Sequence, residues 1–357
     1  MRKSYNKKLR IAYFDLFHGK FYEDYSINPK RYGGGPVFAR WAKEYWNNSE
    51  KEFYIFGPVK CFENITSNEK QGIYFNLSIE ECNLILNKTN IKKIIPNIDY
   101  FDIIMHGHTG IAINNLGCRA VQVHWSGFGR ASDGHPLIPY TFVYGPDLSP
   151  FYPNQKTYPI KIGKPVPKEF IENKKEDYIF QCSRHDESLN SIEVAENCIK
   201  YQIMCCFAGP IYGNYPLMNY IDNKYTFYLG QITEEEKLNF TKRSRLATFF
   251  FQTGCVFNQS VIECLACGTP IFYKLIYPNN DPTFRNWLQD EIKIKHNYTG
   301  FVFNGNNFLE CYQMARNIDQ KKCWEIAKEY SVEEMLRTFG EAIDFVVRDA
   351  NIILNNE

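Results

Sequence analysis

The chain has 357 residues, 44% hydrophobic and 23% charged, a balance that excludes a disordered or fibrous protein and asks for two domains of ordinary size. Lysine and arginine total 41 against 40 aspartate and glutamate, for a net charge of +1. That leaves no electrostatic footprint for phosphate backbones, and the lysine pairs are scattered rather than massed, which argues against nucleic acid as a partner.

The basic N-terminus leads only into Leu9–Leu16, broken by Arg10 and Asp15. This predicts a first strand rather than a signal peptide. No apolar run approaches eighteen residues, so no transmembrane segment is expected and the expected compartment is the cytoplasm. Gly33-Gly34-Gly35 then precedes a predicted helix at 36–46, where bare N–H groups and the helix dipole favour an anion. Further strands are predicted at 53–56, 101–105 and 120–124. Eight of the seventeen prolines fall between Pro136 and Pro167. Proline removes a donor and fixes φ, so this stretch reads as a crossing between domains that resists helix and central strand.

From Asp177 onward the rhythm is clearer. Strands at 177–183, 202–208, 225–229, 246–252 and 270–273 alternate with helices at 191–200, 234–243 and 259–266, the pattern of a parallel sheet covered on both faces. Residues 332–353 form a last helix, with Met335, Phe339, Ile343 and Val346 on one face. The twelve cysteines are scattered; those in apolar runs read as buried hydrophobes in a reducing compartment, and the close pairs Cys205-Cys206 and Cys264/Cys267 have no matching second pair with zinc-ligand spacing.

Ligands of open parallel sheets bind beyond the carboxyl ends of the strands. Those ends are Ser183-Arg184, Gly209-Pro210, Gly230-Gln231 and Thr253-Gly254. Arg184 has bidentate reach for phosphate, or alternatively forms a surface pair with Asp186 or Glu187. Glu263 shares a helical stripe with Gln259 and Cys267 among apolar neighbours, so a ligand hydroxyl or a cation should stand beside it. His124, His106 and His108 lie at carboxyl ends of first-half strands. There is no Asp-x-Asp and no His-x-x-x-His or Glu-x-x-His pair, so no metal is expected.

The run Ser260 to Pro270, with the strand before it, resembles the signature of family-4 retaining glycosyltransferases of the GT-B fold. Gly34-Gly35, Ser183-Arg184, Phe207–Pro210, Phe227–Gly230 with Glu234–Leu238, Asn297–Phe301 and Glu329–Met335 resemble other segments of that family, in its order. The resemblance implies an α/β GT-B architecture: two Rossmann-like domains with parallel sheets facing across a cleft, and a C-terminal helix packing back on the first. Residues 1–165 would be the acceptor domain, 166–335 the nucleotide-sugar donor domain and 336–357 the returning helix. It implies a metal-independent, retaining, hexosyltransferase-like enzyme. No cofactor is implied beyond a donor such as a UDP- or GDP-sugar, and the acceptor would be a glycan or glycoconjugate. On matching positions it assigns His124, Arg184 and Glu263 to catalysis. Gly34, Gly35, Arg184, Gly209, Gln231, Ile232, Phe257, Asn258, Gln259 and Glu263 are assigned to the donor, with Glu263 on the ribose and the backbone near Gln231-Ile232 on the base.

The chain departs from the family at three places. Cys255 stands where the first of two paired glutamates would be, Leu189 where a lysine joins the arginine, and Asn258 where a glycine follows the phenylalanine. Two alternatives therefore stay open: a relative that binds a nucleotide sugar or glycan without turnover, or a GT-B nucleotide-sugar epimerase.

Overall fold

The computed structural model describes residues 8–14, 51–57, 74–86, 91–107, 119–126, 139–144, 155–161, 163–187, 190–251, 259–275 and 298–352. The chain divides into two compact units, Met1–Lys161 with Met335–Glu357, and Ile162–Glu334. Among the described residues no helix is long and apolar enough to cross a membrane.

The first unit holds a parallel sheet of β1 (Leu9–Phe14), β2 (Lys51–Gly57), β3 (Tyr74–Asn76), β4 (Ile103–Gly107), β5 (Val121–Ser126), β6 (Tyr140–Tyr144) and β7 (Lys156–Ile160), with α1 (Ile79–Leu86) between β3 and β4. The strand order is β3-β2-β1-β4-β5-β6-β7. Side chains alternate across a strand, so Ala12, Phe14 and Ile104 share one face and bury there with Cys82 and Ile85 of α1. The predicted strands at 9, 53, 101 and 120 all form. The proline-rich stretch does not stay irregular as expected: it supplies β6 and β7. Pro139 lies just outside β6, and Pro159 lies in β7, the edge strand, where a missing N–H breaks no ladder.

The second unit holds β8 (Glu176–Cys182), α2 (Ser191–Tyr201), β9 (Met204–Ala208), β10 (Thr226–Tyr228), α3 (Glu234–Arg243), β11 (Ser244–Phe251), α4 (Gln259–Ala266), β12 (Ile271–Leu275), β13 (Gly300–Val302), α5 (Phe308–Met314) and α6 (Gln320–Lys328). Its order, β10-β9-β8-β11-β12-β13, starts in the middle and winds outward in both directions, as dinucleotide-binding sheets do. Its core is aromatic: Phe250 stacks on Phe303 at 4.9 Å and Phe272 meets Phe308 at 5.2 Å. Gln202, expected to open a strand, instead caps α2 in the left-handed conformation, and β9 begins at Met204.

The last helix, α7 (Val332–Asp349), buries Phe339, Ile343 and Val346. Phe339 stands edge-on to Phe142 at 5.4 Å and Phe345 to Tyr140 at 6.1 Å. Tyr140 pairs with Val123, which pairs with Met105, which pairs with Tyr13, so α7 covers the face opposite α1. Tyr140 Oη donates to Asp349 Oδ2 at 2.5 Å, and Thr338 Oγ1 accepts from Lys161 N at 3.1 Å.

Candidate functional site

Three of the predicted strand ends are tied together at one edge of the second unit. Ser183 N donates to the Ala208 carbonyl at 3.0 Å, and Gly209 N to the Gly230 carbonyl at 2.8 Å. Gly209 is at φ +115°, and a Cβ there would lie 1.9 Å from the Ser183 carbonyl oxygen. Only glycine fits this approach. Tyr228 Oη closes the turn by donating to Gly209 O at 2.7 Å. The fourth end, Thr253-Gly254, lies outside the described residues.

His185, which the sequence reading passed over, anchors this edge. Its ring is fully buried. Nε2 lies 3.1 Å from the Ala208 carbonyl and Nδ1 2.8 Å from Ser191 Oγ. The carbonyl fixes the tautomer: Nε2 carries the proton and Nδ1 accepts from the serine hydroxyl. Burial pushes the imidazole pKa down to about 4, only partly opposed by its bond to Ala208. The signal was available in its position directly after Arg184 at a strand end.

Arg184 itself is 61% exposed, and its Nε meets Asp186 Oδ2 at 2.8 Å, the surface pair weighed above. Gln231 is exposed at the turn after β10, while Ile232 packs against the buried cluster of Tyr178, Phe180 and Ala208. Thr233 then opens α3 with a reciprocal cap: its hydroxyl accepts from Glu236 N, and its own N–H donates to Glu236 Oε2.

Glu263 lies on α4, whose Val261, Ile262, Cys264 and Leu265 are buried. Gly268 (φ +66°) closes this helix as expected. The cations demanded by so apolar a setting are Lys164, at 2.5 Å from Oε1, and Lys237 of α3, at 2.6 Å from Oε2. Burial alone would raise the Glu263 pKa, but the two ammonium groups outweigh it and hold the carboxyl below its ordinary value. Burial would likewise lower Lys237; Glu263 and Glu234 reverse this and hold it above the ordinary lysine range. Neither lysine was legible as a partner, because each is distant from Glu263 in sequence. The cluster borders a cavity of about 660 Å³, walled by Pro165, Val166, Pro167, Leu238 and Ala266. That is the size of a small-molecule site, mostly apolar with a few convergent charges.

In the first unit, His124 is fully buried on β5. Its register neighbours are His106 on β4 and Thr141 on β6, and Thr141 Oγ1 donates to Gln155 Oε1 at 2.5 Å. His124 and the second-unit residues belong to different units. Gly34, Gly35, His108, Leu189, Cys255, Phe257 and Asn258 lie outside the described residues. Of Gln259 only the backbone is described, as the first residue of α4.

No protein-family model and no curated protein matches the chain by sequence. The backbone nevertheless matches solved structures along nearly its whole length. A glycosyltransferase from Rickettsia africae is 14% identical with a TM-score of 0.67, covering 96% of this chain and 99% of that one. The lipopolysaccharide outer core galactosyltransferase WaaB in its apo form is 10% identical, TM-score 0.67, covering 94% and 99%. Anabaena HepE in complex with UDP-glucose is 12% identical, TM-score 0.63, covering 94% and 100%. The fold is GT-B. At this identity the likeness establishes the GT-B architecture alone, as two parallel α/β sheets and the returning α7 require; chemistry must come from the residues.

Proposed function

We propose that the chain transfers a sugar from a nucleotide diphosphate sugar to an acceptor hydroxyl, without a metal and with retention, as a family-4 enzyme. A hexosyl donor of the UDP or GDP kind and a glycan or glycoconjugate acceptor fit this reading, as does action in the cytoplasm. Glu263 carries it. A carboxylate kept ionised between two lysines, beside a cavity of small-molecule size, sits on the helix that bears the Ser260–Pro270 signature in a GT-B chain. HepE, of similar fold, was solved with UDP-glucose.

In this reading Glu263 accepts the ribose hydroxyls, and the peptide groups near Gln231-Ile232 meet the base. Arg184 exchanges Asp186 for the diphosphate. Breaking the anomeric C–O bond leaves negative charge on that diphosphate, and preorganised N–H groups and a guanidinium are the groups that stabilise such charge. His124 is assigned to the sugar and acceptor.

A second reading, binding without turnover, is favoured by two observations. Cys255 replaces a carboxylate, and Arg184 is already paired with Asp186. One experiment separates the two. The melting temperature is measured against a panel of nucleotide sugars, and free nucleotide is then followed with and without glycan acceptors. Transfer is expected to release nucleotide; a rise in melting temperature with no release supports the binder, and no rise with any nucleotide sugar overturns both. Arg184→Ala is expected to weaken nucleoside diphosphate binding about tenfold while sparing the nucleoside; equal losses would remove Arg184 from the diphosphate.

A further inference from the structure

The opposite edge of the second unit's sheet, where its strands begin, carries a second cavity of about 340 Å³. Lys174, Lys175, Arg245 and Arg316 line it, and Glu172 is the one carboxylate among the lining residues. The wall is built. Asn173 N donates to Gln320 Oε1 at 3.1 Å, Gln320 Nε2 returns a bond to Asn173 O at 2.9 Å, and Asn173 Nδ2 reaches Cys267 O at 3.1 Å.

Arg245 decides what the cavity takes. It sits where the β8–β11 register slips: Ser244 pairs with Glu176 but Leu246 pairs with Ile179, so Arg245 faces two residues of β8 instead of one. Such irregularities re-aim a side chain, here a guanidinium on an interior strand. The side chain is 8% exposed. Its Nη2 holds Asp177 and its Cζ lies 5.2 Å from the Tyr312 ring centroid, but Nη1 is buried with no hydrogen-bond partner among the described residues. Asp177 cannot neutralise it alone, because Arg316 Nη2 shares that carboxylate at 3.3 Å.

Lys175 meets no carboxylate among the described residues. Its Nζ donates to Lys242 O at 2.9 Å, Cys267 O at 3.3 Å and Thr269 Oγ1 at 2.7 Å. These acceptors lie at the C-terminal ends of α3 and α4, where the helix dipoles favour a cation. Lys175 is thereby satisfied and positions the wall, leaving Arg245, Arg316 and Lys174 against two carboxylates, Glu172 of the lining and the shared Asp177, with one positive charge in excess. A buried N–H without an acceptor is costly, and an oxygen-rich dianion removes that cost while matching the fork of a guanidinium.

We propose that this cavity is an anion site for a phosphomonoester, distinct from the nucleotide site at the carboxyl edge. The phosphoryl group sits on Arg245 Nη1 and Arg316, and a small organic body fills the remaining volume. A phosphate group can come from free phosphate or from an esterified metabolite, and the two differ in whether that volume is used.

The test titrates the full chain with inorganic phosphate and with glycerol 3-phosphate, against chloride at matched ionic strength, reading melting temperature and calorimetric heat. Arg316→Gln, Lys174→Gln and Arg245→Lys are compared with Arg184→Ala, which belongs to the nucleotide site. Saturable binding weakened at least fivefold by Arg316→Gln, and untouched by Arg184→Ala, is the expected result. Tighter binding of glycerol 3-phosphate than of phosphate assigns the ester; equal binding assigns the free ion and overturns the ester. Arg316→Gln changes one exposed side chain, so the comparison does not depend on the buried variant folding. No saturable binding overturns the site. So does binding lost in Arg184→Ala but kept in Arg316→Gln, which would put the phosphate at the other edge. These outcomes stand whether or not a nucleotide sugar binds.

Discussion

Lys164 and Lys237 approach different oxygens of Glu263, so the carboxylate is charged and oriented before any ligand arrives. Its side chain is 19% exposed, a depth at which breaking an ion pair from one side is expensive because the remaining charges stay partly desolvated. Glu263→Gln is therefore expected to lose about 2–4 kcal/mol near neutral pH, read as a shift in denaturant midpoint. The sign of the pH dependence follows from the lowered pKa. The unfolded carboxyl binds its proton at higher pH than the folded one, so this stabilisation is complete above the unfolded value and disappears as pH falls through the folded one. Wild type and variant should converge in acid. A gap that persists there would mean that the side chain's shape, not its charge, holds the cluster.

At the scale of the element, the turns after β8, β9 and β10 act as one piece because Gly209 lets two backbones touch. Gly209→Ala combines a left-handed φ of +115° with a Cβ 1.9 Å from Ser183 O, whereas Gly213→Ala has φ +58° and open space around it. Strain alone costs about 1–2 kcal/mol per residue, the loss expected for Gly213→Ala. Gly209→Ala should lose clearly more in denaturant unfolding and, on the proposed function, weaken nucleotide binding as well, since Ser183-Arg184 must shift. Equal losses would mean that the contact relaxes cheaply. What the sequence made visible at this scale was the second unit, whose strands are mostly apolar and separated by amphipathic or capped helices. Strands β6 and β7 escaped because proline density masks them, and three-residue β3 and β13 carry no period at all. The tether of His185 and the lysines flanking Glu263 escaped because tertiary contacts, not local pattern, make them.

At the scale of the molecule, each unit has its own sheet and its own buried clusters, and α7 contributes Phe339 to the first. Removing a buried aromatic ring costs about 3–5 kcal/mol. Phe339→Ala should remove that amount from the unit containing β1–β7, because Phe142 loses the edge-on ring 5.4 Å away. Phe308→Ala should act on the unit containing β8–β13, where Phe308 packs on Phe272. Hydrogen exchange resolved by peptide distinguishes the two. The first variant is expected to lower protection in β1, β4 and β6 before β8 and β11, and the second to do the reverse. If both variants lowered protection everywhere equally, the chain would unfold as a single cooperative body. The proposed phosphomonoester site could then report to the proposed nucleotide site through global stability alone. If protection splits by unit, a ligand on Arg245 should protect β8 and β11 and leave β1 unchanged, which places any coupling between the two edges inside the second unit's own sheet.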